Sequence, residues 1–169
     1  MHVRTGSRFL SALFALAIAT SAAALTPAEY GVARQRADAQ YQLEREKCKA
    51  LSGNARDVCV KDAKAVRDSA QADAYAAFKG TPEARAEAAE DKAEARYRVA
   101  RQRCEPLGGD ERGTCISRAL AERARGQAAA SEIRDLAKAK SARTRERCEA
   151  LSGETRERCV ADRRANERP

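Results

Sequence analysis

The chain has 169 residues, a net charge of +8 and no tryptophan, and only 4% of its residues are aromatic. Its large apolar side chains are too few for the core of a globular domain, because folding must offset roughly 1–2 kcal/mol of backbone entropy per residue. Acidic and basic residues are interspersed, which argues against a nucleic-acid-binding protein. Alanine surrounded by Arg, Lys and Glu is typical of long exposed helices. Disorder is the alternative, and the cysteines argue against it.

The first residues have the features of a secretory signal. Arg4 and Arg8 precede an apolar run over residues 9–19, and three alanines ending at Ala24 offer an A-x-A cleavage site. The run is shorter than the roughly 20 apolar residues that span a bilayer. We therefore predict that residues 1–24 are removed, and that the loss of Arg4 and Arg8 lowers the net charge from +8 to about +6. The mature protein is then periplasmic or secreted.

The first predicted helical hairpin covers residues 25–80. The sequence Thr-Pro-Ala-Glu at residues 26–29 predicts a helix start with a capping box and a proline in the first turn. At the following break we expect Gly53 to end the first leg in the left-handed conformation and Asn54 to cap a second leg, which runs to about Lys79. The residues at helical spacing that we expect to face the other leg are Ala33, Ala37, Tyr41, Cys48 and Leu51 in the first leg and Cys59, Ala63, Val66, Ala70 and Ala77 in the second.

A second hairpin is predicted over residues 81–140. A Thr-Pro pair again opens it, and a tyrosine again precedes the first cysteine by seven residues, here Tyr97 before Cys104. The repeat is therefore a helix–turn–helix unit of roughly 55 residues. No proline interrupts residues 114–150, which predicts one helix of about 50 Å. Residues 141–169 are predicted to form a truncated third hairpin with a charged tail.

All six cysteines lie in three copies of one motif, C-x2-L-[SG]-G-x2-R-x2-C. On an unbroken helix the two cysteines of a copy would lie about 16 Å apart, whereas a disulfide needs Cα atoms within roughly 7 Å. A chain reversal at the motif glycine, which the turn residues favour in every copy, brings them together. The predicted disulfides are Cys48–Cys59, Cys104–Cys115 and Cys148–Cys159, each contributing roughly 2–3 kcal/mol in the chain-entropy model.

The predicted fold class is all-α: elongated, antiparallel, coiled-coil-like helical hairpins, with each turn closed by a disulfide. The motif leucines are expected to cover the disulfides. The motif arginines are expected to bond carbonyl groups that end the first leg, and a shared ligand-binding role is their alternative. These residues are Leu51, Leu107 and Leu151, and Arg56, Arg112 and Arg156.

No catalytic, cofactor or metal site is predicted, and the chain is not expected to be an enzyme. The only histidine, His2, falls within the signal, and no four ligands have zinc spacing. No phosphate-binding loop or nucleophile elbow occurs. Ten residues separate the cysteines of each pair, whereas disulfide-exchange enzymes place theirs a couple of residues apart, so structural bonds are favoured over a redox site. Tyr41 and Tyr97 are interpreted as packing contacts between the legs.

The first motif copy reads CKALSGNARDVCVKDAKA from Cys48, with a tyrosine seven residues before it. It resembles segments of the form C-x2-L-x-G-N-A-[KR]-D-x-C-V that are repeated in a group of uncharacterised exported proteobacterial proteins. The resemblance covers nearly all of the mature chain. The second copy departs from it at Pro106 and Gly108, and the third has Glu154 in place of the asparagine. The resemblance implies export and helical hairpins, and it implies no activity.

The favoured function is a non-enzymatic binding or structural role in the cell envelope. One alternative is a periplasmic chaperone or stress protein that holds unfolded clients, and another is a thiol–disulfide role. The expected partner is another protein or a second copy, because the narrow apolar stripes leave Tyr and Leu side chains partly exposed. The positive charge predicts weak contact with an anionic envelope surface. No cofactor, nucleic acid or small-molecule substrate is indicated.

Overall fold

The computed structural model of the protein describes residues 24–167. The predicted signal segment lies outside the described residues, apart from Ala24. Within the described range the chain forms five α-helices and no strand. These helices are α1 (Pro27–Lys47), α2 (Gly53–Lys79), α3 (Pro82–Arg103), α4 (Gly109–Glu149) and α5 (Gly153–Glu167), with a short 3-10 helix over Cys48–Ala50 after α1. The all-α fold of antiparallel hairpins is therefore confirmed.

Both Thr-Pro sequences begin helices, as the sequence predicts. The Thr26 hydroxyl accepts a hydrogen bond from the Glu29 backbone N–H at 3.2 Å, and the Glu29 carboxylate accepts one from the Thr26 N–H at 2.8 Å. These bonds, first of all the one from the backbone, hold the pKa of Glu29 below its ordinary value. At the start of α3 the Thr81 hydroxyl accepts from the Ala84 N–H at 3.1 Å. Together the two caps fix where α1 and α3 begin.

The helices are arranged side by side in a single layer. Among the described residues, α1 packs on α2, α2 on α3, α3 on α4 and α4 on α5, and no other pair of α-helices is in contact. Most domains bury their apolar surface between two layers. Here α2 and α3 each have one neighbour on either side and leave two broad faces open. The two main hairpins predicted from sequence are thus joined through the α2–α3 contact.

The core of this layer consists almost entirely of alanine. Ala72 and Ala76 of α2 pack against Ala84 and Ala88 of α3. Residues two positions apart point in nearly opposite directions on a helix, and this is why Ala74 and Ala86, which lie between those pairs in sequence, are also buried. The recurring pattern is alanine at every second position, because each central helix buries two opposite stripes.

This arrangement corrects part of the predicted stripe on α2. Ala63 is buried as expected, but Val66, Ala70 and Ala77 are exposed. The prediction assumed that α2 has one partner and therefore one apolar side. Because α1 and α3 flank α2, the Val66 side chain lies between the α1 contact and the α3 contact and faces solvent. In the predicted first leg, Ala37 and Cys48 are buried as predicted, whereas Leu51 is exposed.

Gly126 marks the closest approach between α3 and α4. A methyl group at this position would overlap the Cβ atom of Ala93 and would also meet its Cα atom at 3.5 Å. The interior of a helix normally disfavours glycine by roughly 1 kcal/mol relative to alanine. The absence of a side chain here is therefore a packing requirement, and it sets the spacing of these two helices.

Three aromatic rings close the end of the layer where α1 begins and α2 ends. The Tyr30 ring stacks on Phe78 with centroids 4.9 Å apart and lies 6.4 Å from Tyr75. The Leu25 N–H donates to the Ala77 carbonyl at 3.1 Å, which ties the start of the described chain to the same end. This cluster is the largest concentration of aromatic side chains in the described part of the protein, and the sequence analysis did not identify it.

The fourth helix is much longer than its neighbour. It has 41 residues against 22 in α3. Because Gly126 lies opposite Ala93, α4 extends about 18 Å beyond the start of α3 at 1.5 Å per residue. The helix α5 packs on this extension alone. We call residues 141–167, the end of α4 with α5, the C-terminal hairpin.

Candidate binding surface

The three predicted disulfides are present, with Cα–Cα distances of 5.6 Å for Cys48–Cys59, 5.7 Å for Cys104–Cys115 and 5.5 Å for Cys148–Cys159. No free cysteine remains in the described residues, which hold all six. In each pair the first cysteine is 1% exposed and the second is half-buried. Each bond joins the end of one helix to the first turns of the next.

The motif glycines have left-handed backbone angles, with φ of +53° at Gly53, +48° at Gly109 and +53° at Gly153. Their position differs from the prediction, because each begins the second helix and does not end the first. The first leg instead ends at the first cysteine of its motif or shortly after it, and the chain then turns in extended conformation, as at Leu51. A residue with a Cβ atom would be strained at these positions.

Other expectations for the motif are wrong. Asn54 does not cap α2: the N-cap residue is Ser52, and its side chain makes no capping bond. Leu51 and Leu151 are exposed, whereas Leu107 is half-buried, so the leucines do not share the covering position expected of them. Of the three arginines, only Arg112 forms a side-chain bond within the described residues, and its partner is the Glu105 carboxylate at 2.9 Å, not a carbonyl. The glycine and the cysteines thus make the turn.

The first two cysteine loops lie at the same end of the layer, whereas the third lies at the far end of α4. The Gln102 side chain donates to the Asn54 side-chain oxygen at 2.7 Å. This bond connects the first turn of α2 to the last turn of α3. The predicted site residues therefore do not form one site, because most of the length of α4 separates Cys148 and Cys159 from the other four cysteines.

Two tyrosines make matching contacts between the legs of their hairpins. The Arg67 guanidinium of α2 lies 4.6 Å from the ring centroid of Tyr41, and that of Arg123 in α4 lies 4.7 Å from the ring of Tyr97. In both cases the arginine follows the tyrosine by 26 residues. Tyr41 and Tyr97 therefore pack between the legs as predicted. Their arginine partners were missed, although the equal spacing could have identified them.

Two shallow grooves open on one side of the layer, which we call the front face. The first has a volume of about 380 Å³ and runs between α1 and α2. The second, of about 550 Å³, runs between α2 and α3 and reaches α4 at Glu122. Val66 and Ala70 line both grooves, so the grooves share a face. Alanine is the commonest residue that lines each groove.

The charges of the front face are only partly paired. Across the second groove, Lys92 bonds Asp73 at 2.5 Å and Arg103 lies 3.7 Å from Asp62. Arg96, which also lines this groove, forms no ion pair within the described residues, and the same holds for Arg36 beside the first groove. The front face therefore carries cations whose charge no neighbouring carboxylate offsets.

The opposite side, the back face, is crossed by ion pairs between helices. Asp68 of α2 lies 3.6 Å from Arg98 of α3, and Arg134 of α4 bonds Glu90 of α3 at 2.7 Å. The bond from Arg134 holds the pKa of Glu90 below its ordinary value of 4.5, and the same carboxylate raises the pKa of Arg134. These pairs connect neighbouring helices across the layer.

No family model, curated protein or solved structure matches this chain. Among the described residues, no helix is long and apolar enough to cross a membrane. Nor do His, Cys, Asp and Glu side chains gather in a group that could hold a metal ion anywhere in residues 24–167. The described residues thus offer a broad front face with two open grooves.

Proposed function

We propose that this protein is an exported, non-enzymatic protein of the cell envelope that acts by presenting a helical surface to a binding partner. The observation that carries the proposal is the single layer of alanine-packed helices, stapled by three disulfides, which leaves two faces open. Disulfides persist in oxidising compartments and are rare in the cytosol. The resemblance of the first motif copy to exported proteins supports the same compartment.

Expression of the full chain in a Gram-negative host tests the export component. We expect the protein in the periplasmic fraction, cleaved near Ala24, with an unreduced mass that matches three disulfides. A matched variant that starts at Leu25 should stay in the cytoplasm and carry free thiols. Recovery of the full chain in the cytoplasm with its first 24 residues intact would contradict the proposal.

The second candidate is a chaperone that holds unfolded clients, and the exposed aliphatic side chains beside the two grooves favour it. Val66, which lines both grooves, is 55% exposed. The oxidised protein would then suppress aggregation of an unfolded outer-membrane protein at stoichiometric ratios, and Val66→Asp would abolish the suppression. Unchanged light scattering of the client in the presence of the oxidised protein would remove this candidate.

A thiol–disulfide role has less support. In each disulfide one sulfur belongs to a cysteine that is 1% exposed, and exchange requires a thiolate to reach a sulfur atom along the S–S axis. The half-buried second cysteines leave limited access. Incubation of the oxidised protein with a reduced, unfolded substrate should leave both proteins unchanged in non-reducing mass spectra.

A further inference from the structure

We propose that the front face binds the surface of an anionic lipid bilayer. This inference rests on the proposed envelope role and names the partner of that surface. The contacts place the helices in one layer, and α4 is about 60 Å long, so the molecule offers an extended face. Such a shape fits a planar surface better than a deep pocket or a cylinder.

The cations of the front face extend beyond the grooves onto the free part of α4. Eighteen residues are five full helical turns, so Lys140 lies in line with Glu122, which lines the second groove. By the same spacing Arg143 lies in line with Arg125, which pairs with Glu122. Arg147 lies in line with Ala129. Lys140, Arg143 and Arg147 form no ion pair in the described part of the chain. They make a row of three solvent-exposed positive charges.

Aliphatic side chains are interspersed with these cations. Leu136 is one turn before Lys140 on the same side of α4 and is 60% exposed. Val66 is exposed between the two grooves, and Val32 and Leu43 are exposed on α1, at helical spacing from the groove residue Arg36. Exposed aliphatic groups among Lys and Arg fit the boundary between headgroups and acyl chains. They have no counterpart on a nucleic-acid backbone, which is why a lipid surface is favoured.

Charge also argues against a second copy as the occupant. Two front faces pressed together would bring the unpaired cations of one copy against those of the other, which is unfavourable. Phosphate groups at an anionic membrane offset the same cations, and each Lys or Arg near such a surface strengthens binding. The back face carries the Asp68–Arg98 and Glu90–Arg134 pairs, and its cations Lys61, Lys64 and Arg101 also form no ion pair among the described residues. The front face is therefore distinguished by the row of cations on α4 together with the exposed aliphatic groups beside it.

The test uses the oxidised mature protein, residues 25–169, and sedimentation with phosphatidylcholine vesicles that contain or lack phosphatidylglycerol. The front variant is Lys140→Glu, Arg143→Glu and Arg147→Glu. The matched control is Lys61→Glu, Lys64→Glu and Arg101→Glu, which changes the net charge equally on the back face, where these residues line a separate groove. Circular dichroism and unreduced mass verify that both variants are folded.

We expect the unmodified protein to bind only the vesicles that contain phosphatidylglycerol. The front variant should bind at least about a hundredfold more weakly, and the control should change binding by less than about threefold. Leu136→Asp, introduced alone, should also weaken binding relative to the unmodified protein. Equal losses in both triple variants would show that net charge alone acts, and this result would overturn the proposal.

Two further experiments test whether DNA or a second copy of the chain binds the front face. Duplex DNA at equal phosphate concentration should not displace the vesicles, and light scattering of the free protein should show no dimer formed through the front face. Displacement by DNA, or a dimer that Val66→Asp dissociates, would each overturn the lipid assignment. Failure of vesicle binding would leave the export test unaffected, since that test depends on cleavage and disulfides alone.

Discussion

The same cysteine motif occurs in two different settings within this protein. In the layer formed by α1 to α4, the first two disulfides lie at the same end, where the Gln102–Asn54 hydrogen bond connects the last turn of α3 to the first turn of α2. The central helices α2 and α3 each bury two stripes of alanine there. In the C-terminal hairpin, the helix that follows the motif touches only α4, and alanine packing on a second side is lacking among the described residues.

This difference indicates that the disulfides do different things in the two regions. In the layer they add to packing that already holds the helices, so their loss should lower the stability of the whole layer. In the C-terminal hairpin the disulfide is the main link between α5 and the rest of the protein, so its loss should be local.

Removal of a disulfide from the layer should have the largest effect. Cys104→Ser with Cys115→Ser opens a loop of about ten residues, and the chain-entropy model predicts a loss of about 2–3 kcal/mol in the free energy of unfolding. The buried position of Cys104 adds the cost of a polar hydroxyl in an apolar site. Urea denaturation followed by circular dichroism measures the loss. A midpoint equal to that of the unmodified protein would contradict the role assigned to this bond.

The alanine packing of the layer can be tested at its tightest point. Gly126→Ala places a methyl group against Ala93, and overpacking of this kind typically costs about 1–3 kcal/mol. The matched control is Gly31→Ala, where no atom lies near the added Cβ and where alanine should stabilise the helix by about 0.5–1 kcal/mol. We therefore expect the two substitutions to shift the midpoint of thermal denaturation in opposite directions. Two stabilising substitutions would show that α3 and α4 are more loosely packed than the structure indicates.

An ion pair of the back face should contribute less. Because the folded pKa of Glu90 lies below its ordinary value of 4.5, its bond to Arg134 stabilises the fold above about pH 4.5 and is lost as the pH falls through the folded pKa. Glu90→Gln should therefore cost a few tenths of a kcal/mol at pH 7, as is usual for exposed pairs, and nothing at pH 3. Glu132→Gln is the control, because it removes an exposed carboxylate that forms no ion pair among the described residues. A cost that is independent of pH would exclude the charge as its cause.

Much of the fold could be predicted from the sequence, because its strongest signals are local. The Thr-Pro caps and the motif glycines determine where the legs begin, and the cysteine spacing determines the pairing once the chain reverses. The burial of Val66 was predicted wrongly for a different reason. A pattern of alanines is compatible with one buried stripe or two, and only the positions of α1 and α3 decide between them.

The candidate surface was harder to predict from the sequence for the same reason. Exposure of Val66 and alignment of Lys140 with Glu122 follow from how four helices lie beside one another, which no single helix reveals. The partners of Tyr41 and Tyr97 illustrate the intermediate case. Each ring contacts an arginine 26 residues later, so the repeat spacing contains the information, but the contact is visible only when both legs are in place.

The third disulfide should have the smallest effect on global unfolding and the clearest local one. Cys148→Ser with Cys159→Ser should change the urea midpoint of the layer little, because α5 packs only on the extension of α4. Regions with few packed neighbours open at low free energy, so amide exchange across residues 153–167 should become fast while residues 82–103 stay protected. Hydrogen exchange with mass spectrometry resolves the two segments. Faster exchange in both would mean that the C-terminal hairpin stabilises the layer, and the two settings of the motif would then be equivalent.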